Sequence, residues 1–253
     1  MSLREESTSP LAPLVFLHIP KTAGQSLIES LKEHFPASDS LALYVPLLPV
    51  DGFEYKQNVL SSPSLIVGHF SYGLPNRILG NLSYRYITFL RHPYARVISQ
   101  YMFDRDYYFA SSLEYDQSFK EEIFSLSPIC FIEKIKIWTY DNCLTRMISG
   151  VGGSLPVGYI DLSILEIAKG NLENFFFVGF QESYQDSLQE LELKLGIKIT
   201  ENSKNRIQVE RIKEILTKDE ISQISKPSDR NKYDLELYNW AIKNYFIKNK
   251  GNE

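Results

Sequence analysis

The chain is short of the features that mark several function classes. Among its 253 residues there are two cysteines, Cys130 and Cys143, too few and too far apart for a zinc site. They are expected as free thiols in a reducing compartment. Basic residues do not predominate: 27 Lys and Arg stand against 31 Asp and Glu, a formal net charge of -4. With no basic tail or stripe, a nucleic-acid binder is disfavoured, although one locally basic pocket is compatible with that balance. No apolar run is long enough to span a bilayer, and Met1 to Pro10 is polar and acidic, unlike a signal peptide. Internal repeats and low-complexity segments are also missing. What is there is 43% hydrophobic side chains over a length that fits one domain, or one domain with an insertion. The expectation is a cytoplasmic globular protein.

Short apolar runs alternate with helical periodicity. Leu14 to Ile19, Ser64 to Val67, Tyr86 to Leu90 and Phe175 to Phe180 read as strands buried on both faces. Gln25 to Phe35, Tyr94 to about Phe103, and Tyr184 to Leu195 closed by Gly196 read as helices. Capping boxes are legible at Ser118 with Glu121 and at Thr217 with Glu220. Tyr233 to Lys248 reads as a terminal helix with Leu237, Trp240, Ala241 and Phe246 near its inner face. Such alternation predicts a parallel sheet covered on both sides. Residues 104 to 170 carry more helix and aromatic signals than strand signals, so a helical insertion is expected there.

The chemistry begins at "FLHIPKTAGQSL", residues 16 to 27. A buried strand stops at Pro20, and a small-residue turn bearing one cation leads into a helix. Unpaired N–H groups and the positive end of the helix dipole make such a turn an anion site. Lys21 adds a mobile charge, Thr22 and Ser26 add hydroxyls, and Gly24 allows close backbone approach. The motif is not G-x-x-x-x-G-K-[ST], because the lysine precedes the glycine. Taken alone it reads equally as an ordinary strand-to-helix turn with a surface lysine. A second stretch, "YITFLRHPYARVISQY" (86 to 101), repeats the design. Arg91 stands at the strand end, Pro93 at the first helical position, and Ser99 further along. In a doubly wound sheet both turns face one crevice and can grip a ligand with two separated anionic groups.

Together these stretches resemble the sulfotransferases that use 3'-phosphoadenylyl sulfate (PAPS), and most of all the carbohydrate branch with the heparan sulfate 2-O- and 6-O-sulfotransferases. "HIPKTAGQSL" resembles that family's 5'-phosphosulfate loop, and "FLRHPYARVISQY" its 3'-phosphate site. "VGHFSYGL" (67 to 74) resembles the segment with a catalytic histidine. "NCLTRMISG", "FVGFQESYQDSLQEL" and "NKYDLELYNWA" resemble later blocks, while 104 to 135 carries little likeness. The resemblance implies one sulfotransferase domain over 1–253 with a P-loop-like, three-layer α/β fold, its central parallel sheet flanked by helices. It implies in-line transfer of a sulfuryl group from PAPS to an acceptor hydroxyl, without a metal. Lys21 would contact the sulfate and the bridging oxygen. Thr22, Ala23, Gly24, Gln25 and Ser26 would supply backbone and hydroxyl donors to the 5'-phosphate, and Arg91 and Ser99 would hold the 3'-phosphate.

An alcohol acceptor needs a base near the sulfate. His69, just past a strand end, is the candidate, with a backbone-bonded structural histidine as the alternative reading. His18 is expected to pack or orient the loop, His92 to serve local structure, and His34 to lie at the surface. Some relatives carry a second histidine two residues before this one, where this chain has Val67; Asp51 or Glu54 could then assist. Arg146 could approach acceptor or donor, or form a helix-face salt bridge. Tyr107, in an aromatic stretch from Tyr101 to Tyr115, could stack on a sugar or belong to the core. The expected acceptor is a carbohydrate, another small alcohol or a glycolipid, and the expected enzyme soluble and bacterial, with no nucleic-acid partner and no membrane insertion. Two other functions stay open. A P-loop kinase would need a Walker lysine and an Asp to hold Mg²⁺, neither found in place. A non-catalytic nucleotide-binding module would tolerate loss of Lys21 or His69.

Overall fold

Leu14, Val15, Phe16 and Leu17 are all wholly buried, and their alternation divides the molecule into layers. The computed structural model describes residues 12–44, 63–80, 83–105, 121, 125–200, 216–226 and 229–246. Five strands form one sheet: β1 Leu14–Leu17, β2 Ser40–Tyr44, β3 Leu65–His69, β4 Arg85–Leu90 and β5 Phe177–Phe180. Their order is β2-β3-β1-β4-β5 and every pairing is parallel. The described helices are α1 Gly24–His34, α2 Leu74–Leu79, α3 Pro93–Phe103, α4 Pro128–Lys134, α5 Cys143–Ser149, α6 Leu162–Glu173, α7 Tyr184–Leu195, α8 Lys218–Ile224 and α9 Lys232–Ala241. The α/β fold with a central parallel sheet flanked by helices is therefore as expected.

Val15, Leu17, Ile66 and Val178 face one layer, where Leu144 and Met147 of α5, Leu165 of α6 and Leu237 of α9 meet them. Leu14, Phe16, Val67 and Phe89 face the other, against Leu27 and Leu31 of α1 and Leu191 of α7. Each such side chain contributes about 1.5–3 kcal/mol by leaving water, so the two faces hold the strands in register. A third cluster joins α3 to α4 through Val97, Met102, Phe131 and Tyr140. Between β4 and β5 every described element is helical.

Several boundaries follow their local signals. Gly196 ends α7 at φ 68, a left-handed cap that costs a glycine nothing. The Thr217–Glu220 capping box makes both of its bonds; Ser118 lies outside the described residues. The terminal helix starts one residue before the expected position, and after Ala241 it widens into a π-turn over Ile242–Phe246. Leu237 and Ala241 are buried as expected, with Trp240 and Phe246 half-buried against the same core. Strand β2 was not expected. Leu41–Tyr44 is apolar in sequence, yet in this edge strand Leu43 is the one buried residue.

The strand order changes direction between β1 and β4. The chain leaves β1 toward β2 and leaves β4 toward β5, which opens a crevice at their carboxyl ends. Lys21 and Arg91 stand just beyond those two ends.

Candidate active site

The turn after β1 is wound tightly. Lys21 (φ 69) and Ala23 (φ 66) both take left-handed backbone, which costs a residue with a Cβ about 1–2 kcal/mol. A left-handed residue next to a right-handed one, as Ala23 stands before helical Gly24, can turn successive N–H groups toward an anion. Ala23 caps α1 without a side-chain bond, and the first turn of α1 holds no acidic residue. Neither the N-cap side chain nor an acid in that turn therefore offsets the positive end of the dipole, worth roughly half a charge. Gln25 is exposed and Ser26 half-exposed in that turn. Gly24 is required by space: a Cβ there would lie 2.3 Å from Cδ2 of His18. Thr22 departs from expectation. Its hydroxyl donates to the Ile19 carbonyl at 2.8 Å and is wholly buried, so it staples the turn and leaves only the backbone N–H to offer a ligand.

Arg91 reaches back across the crevice. Its Nη1 donates to the Lys21 carbonyl at 3.1 Å, which joins the two turns at one edge of the sheet. Its Nε has no hydrogen-bond partner among the described residues. Burial depresses its pKa, with Glu182 opposing and Arg96 reinforcing, yet a guanidinium stays charged. Pro93 opens α3 at its first position, and Ser99 sits further along that helix, 5% exposed.

His69 is the last residue of β3. Its Nδ1 lies 2.6 Å from the His18 carbonyl. A carbonyl can only accept, so Nδ1 carries the hydrogen and Nε2 keeps a lone pair, as a general base requires. The rings of His18 and His69 are 4.5 Å apart, and Tyr44 meets His69 edge-on at 5.4 Å. Burial lowers the His69 pKa, the bond to His18 raises it, and Lys21 lowers it again. His18 is lowered further, by burial first and then by His69 and Lys21. Both rings are thus neutral near pH 7. The preceding Gly68 has φ +145, and a Cβ on it would lie 1.8 Å from the Leu43 carbonyl, so only glycine lets β3 lie against β2 here. His92 donates its backbone N–H to Glu182 at 2.8 Å, and exposed His34 is 2.6 Å from the Lys198 carbonyl.

Burial pushes Lys21 down to about 8, opposed by Asp104 and reinforced by Arg91 and Arg96. Asp104 is 2% exposed and was not expected at the site. The C-terminal block is tied to the crevice indirectly: Tyr238 of α9 donates to Glu182 at 2.8 Å, and Asp234 accepts from the N–H groups of Leu144 and Thr145.

Of the two readings of Arg146 the structure takes the salt bridge, and it corrects the expectation that this residue approaches acceptor or donor. The side chain is wholly buried and ion-paired with Asp141. Its Nε donates to the Asp141 carbonyl, Nη1 to Gly152 and Leu155, and Nη2 to Asp141 and Pro156. All five donors are used, so nothing is left for an acceptor or a donor molecule. Tyr107, Asp51 and Glu54 lie outside the described residues. Among the described residues no group of three or more His, Cys, Asp or Glu could hold a metal, and no helix is long and apolar enough to cross a membrane.

No protein-family model matches the chain, and no curated protein matches it. Among solved structures it is similar to mouse sulfotransferase SULT7A1 complexed with PAP, the desulfated donor, at 14% identity. That match covers 93% of this chain and 85% of the mouse chain, with a TM-score of 0.44. A likeness of that size leaves the function of this chain to its own geometry.

Proposed function

We propose that this chain transfers a sulfuryl group from PAPS to a hydroxyl of a carbohydrate, another small alcohol or a glycolipid. The observation that supports this reading is the bond from Arg91 to the Lys21 carbonyl, which ties the two turns together. A donor with phosphate at each end spans such a crevice, its 3'-phosphate toward Arg91 and Ser99 and its phosphosulfate in the turn 21–26. The uncapped start of α1 and the unpartnered Nε of Arg91 suit that ligand. The resemblance of both motifs to the sulfotransferases points the same way.

In this reading the acceptor oxygen attacks sulfur in line while its proton passes to Nε2 of His69. The bond from sulfur to the bridging oxygen breaks, and Lys21 offsets the charge left on the departing phosphate. Positioning and charge stabilisation supply most of the acceleration, as in phosphoryl transfer. The chain acts as one sulfotransferase domain, and no step calls for a metal.

The test is PAP release from PAPS across a panel of sugars and small alcohols, with wild type and His69→Ala. His69→Ala is expected to keep PAP affinity while turnover falls about 10²–10⁴-fold. Unchanged turnover removes His69 from the role. Failure of every acceptor together with absent PAP binding ends the reading.

A further inference from the structure

Lys21 is met from α3 as well as from its own turn. Its ammonium lies 4.2 Å from the centroid of the Phe103 ring, the last residue of α3. The next residue, Asp104, is a carboxylate sealed from solvent. It accepts from the Tyr140 hydroxyl at 2.6 Å and from Nε2 of Gln100 at 2.9 and 3.0 Å. Both partners are neutral, so these bonds fix the carboxylate in place without cancelling its charge. A buried anion of this kind is tolerated only where cations face it. Those cations are Lys21 and Arg96. Arg96 is itself wholly buried, donates to the Thr139 carbonyl, and has no partner for Nε or Nη1 among the described residues.

We propose that Asp104 is a positioning residue for Lys21: a fixed, buried counter-charge, braced by Tyr140 and Gln100, that keeps this lysine an ammonium in the crevice beside Arg91 and Arg96. What the ammonium does there rests on the sulfuryl-transfer reading; the counter-charge itself does not. Among the described residues every other charged group that acts on Lys21 opposes its protonation. Arg91 and Arg96 repel it, and burial removes its water. The rings of His18, just past β1, and of His69, the last residue of β3, are neutral near pH 7 and cannot compensate. Asp104 is raised to about 6, by burial above all, so it is ionised and effective across the range where Lys21, near 8, releases its proton.

The test reads the lysine directly. Lys21 is acetylated with acetic anhydride at a series of pH values, and its modification is quantified by mass spectrometry in wild type, Asp104→Asn and Tyr140→Phe. Asp104→Asn keeps the shape and removes the charge. Its Lys21 midpoint is expected to fall by about one pH unit, a tenfold change in the ammonium-to-amine ratio. Tyr140→Phe removes one bond to the carboxylate, and its Lys21 midpoint is expected to fall by a smaller amount. Exposed Lys232 serves as the control and stays put. A Lys21 midpoint that is unmoved or raised in both variants overturns the proposal. If Asp104→Asn does not fold, Tyr140→Phe decides alone. Wild type that binds no PAP removes the sulfuryl-transfer reading but leaves this midpoint readable. Wild type that binds PAP with an unmoved midpoint sinks only the role of Asp104.

Discussion

Replacing Gly24 by alanine places one methyl group where the site has no room. The new Cβ would stand 2.3 Å from Cδ2 and 2.5 Å from Nε2 of His18, and 2.7 Å from Cζ of Phe16. Those rings cannot swing aside freely: they stack on each other at 5.3 Å, and His18 is backed by His69 at 4.5 Å. Ordinary van der Waals contact begins at 3.4 Å, so the His18 ring must retreat by about 1 Å. Overpacking of this kind costs about 1–3 kcal/mol. Alanine returns up to about 1 kcal/mol of backbone entropy in a helix, leaving a net loss of roughly 1–2 kcal/mol. In a chain of this size that lowers Tm by about 2–8 °C. The displaced histidine also carries the carbonyl that orients His69. Gly170, exposed inside α6 with nothing within 4 Å of an added Cβ, is the control. Gly170→Ala is expected to stabilise by about 0.5–1 kcal/mol. Thermal melts of the three proteins, with PAP titration of each, make the comparison. A Gly24→Ala protein as stable as wild type and equal to it in PAP affinity would refute the packing argument and the cradle with it.

Stability should depend on pH through the two neighbouring histidines. Both are held below 6.5 in the folded chain, so the unfolded chain binds more protons and stability falls as pH drops below 6.5. Asp104, raised to about 6, works in the opposite direction, so urea midpoints at pH 7.5 and 5.5 are compared between wild type and His69→Gln. A smaller fall in the variant is expected, and an equal fall counts against a buried neutral His69. Arg146→Met strands the Asp141 carboxylate in the interior and is expected to cost about 3–5 kcal/mol, with PAP affinity of the folded fraction unchanged. A stable Arg146→Met protein that loses PAP would return Arg146 to the ligand site.

The strands that the sequence announced are those buried on both faces, because an unbroken apolar run such as Leu14–Leu17 has no other use. β2 was passed over although Leu41–Tyr44 is apolar: the run is short, lies between Pro36 and Pro46, and as an edge strand buries only Leu43. The two turns were legible because their chemistry is local: a strand end, a cation and a helix start lie within a dozen residues. The role of the His18 carbonyl was not, since it acts on a ring 51 positions away. Asp104 gave no signal for the same reason, as its burial depends on Tyr140, 36 positions on. The Thr22 hydroxyl was misjudged, and the choice between ligand and salt bridge for Arg146 stayed open, because residue type shows what a side chain can bond, whereas packing decides which partner reaches it first.

If two strand-end pockets grip one doubly anionic ligand, loss of either pocket must weaken its binding. Calorimetric titration of PAP into wild type and Arg91→Ala tests it most directly. Loss of charge-assisted bonds worth about 1.5–3 kcal/mol predicts saturable one-site binding to wild type, weakened roughly ten- to hundredfold in the variant. No binding to wild type, or equal binding to both, would contradict the account.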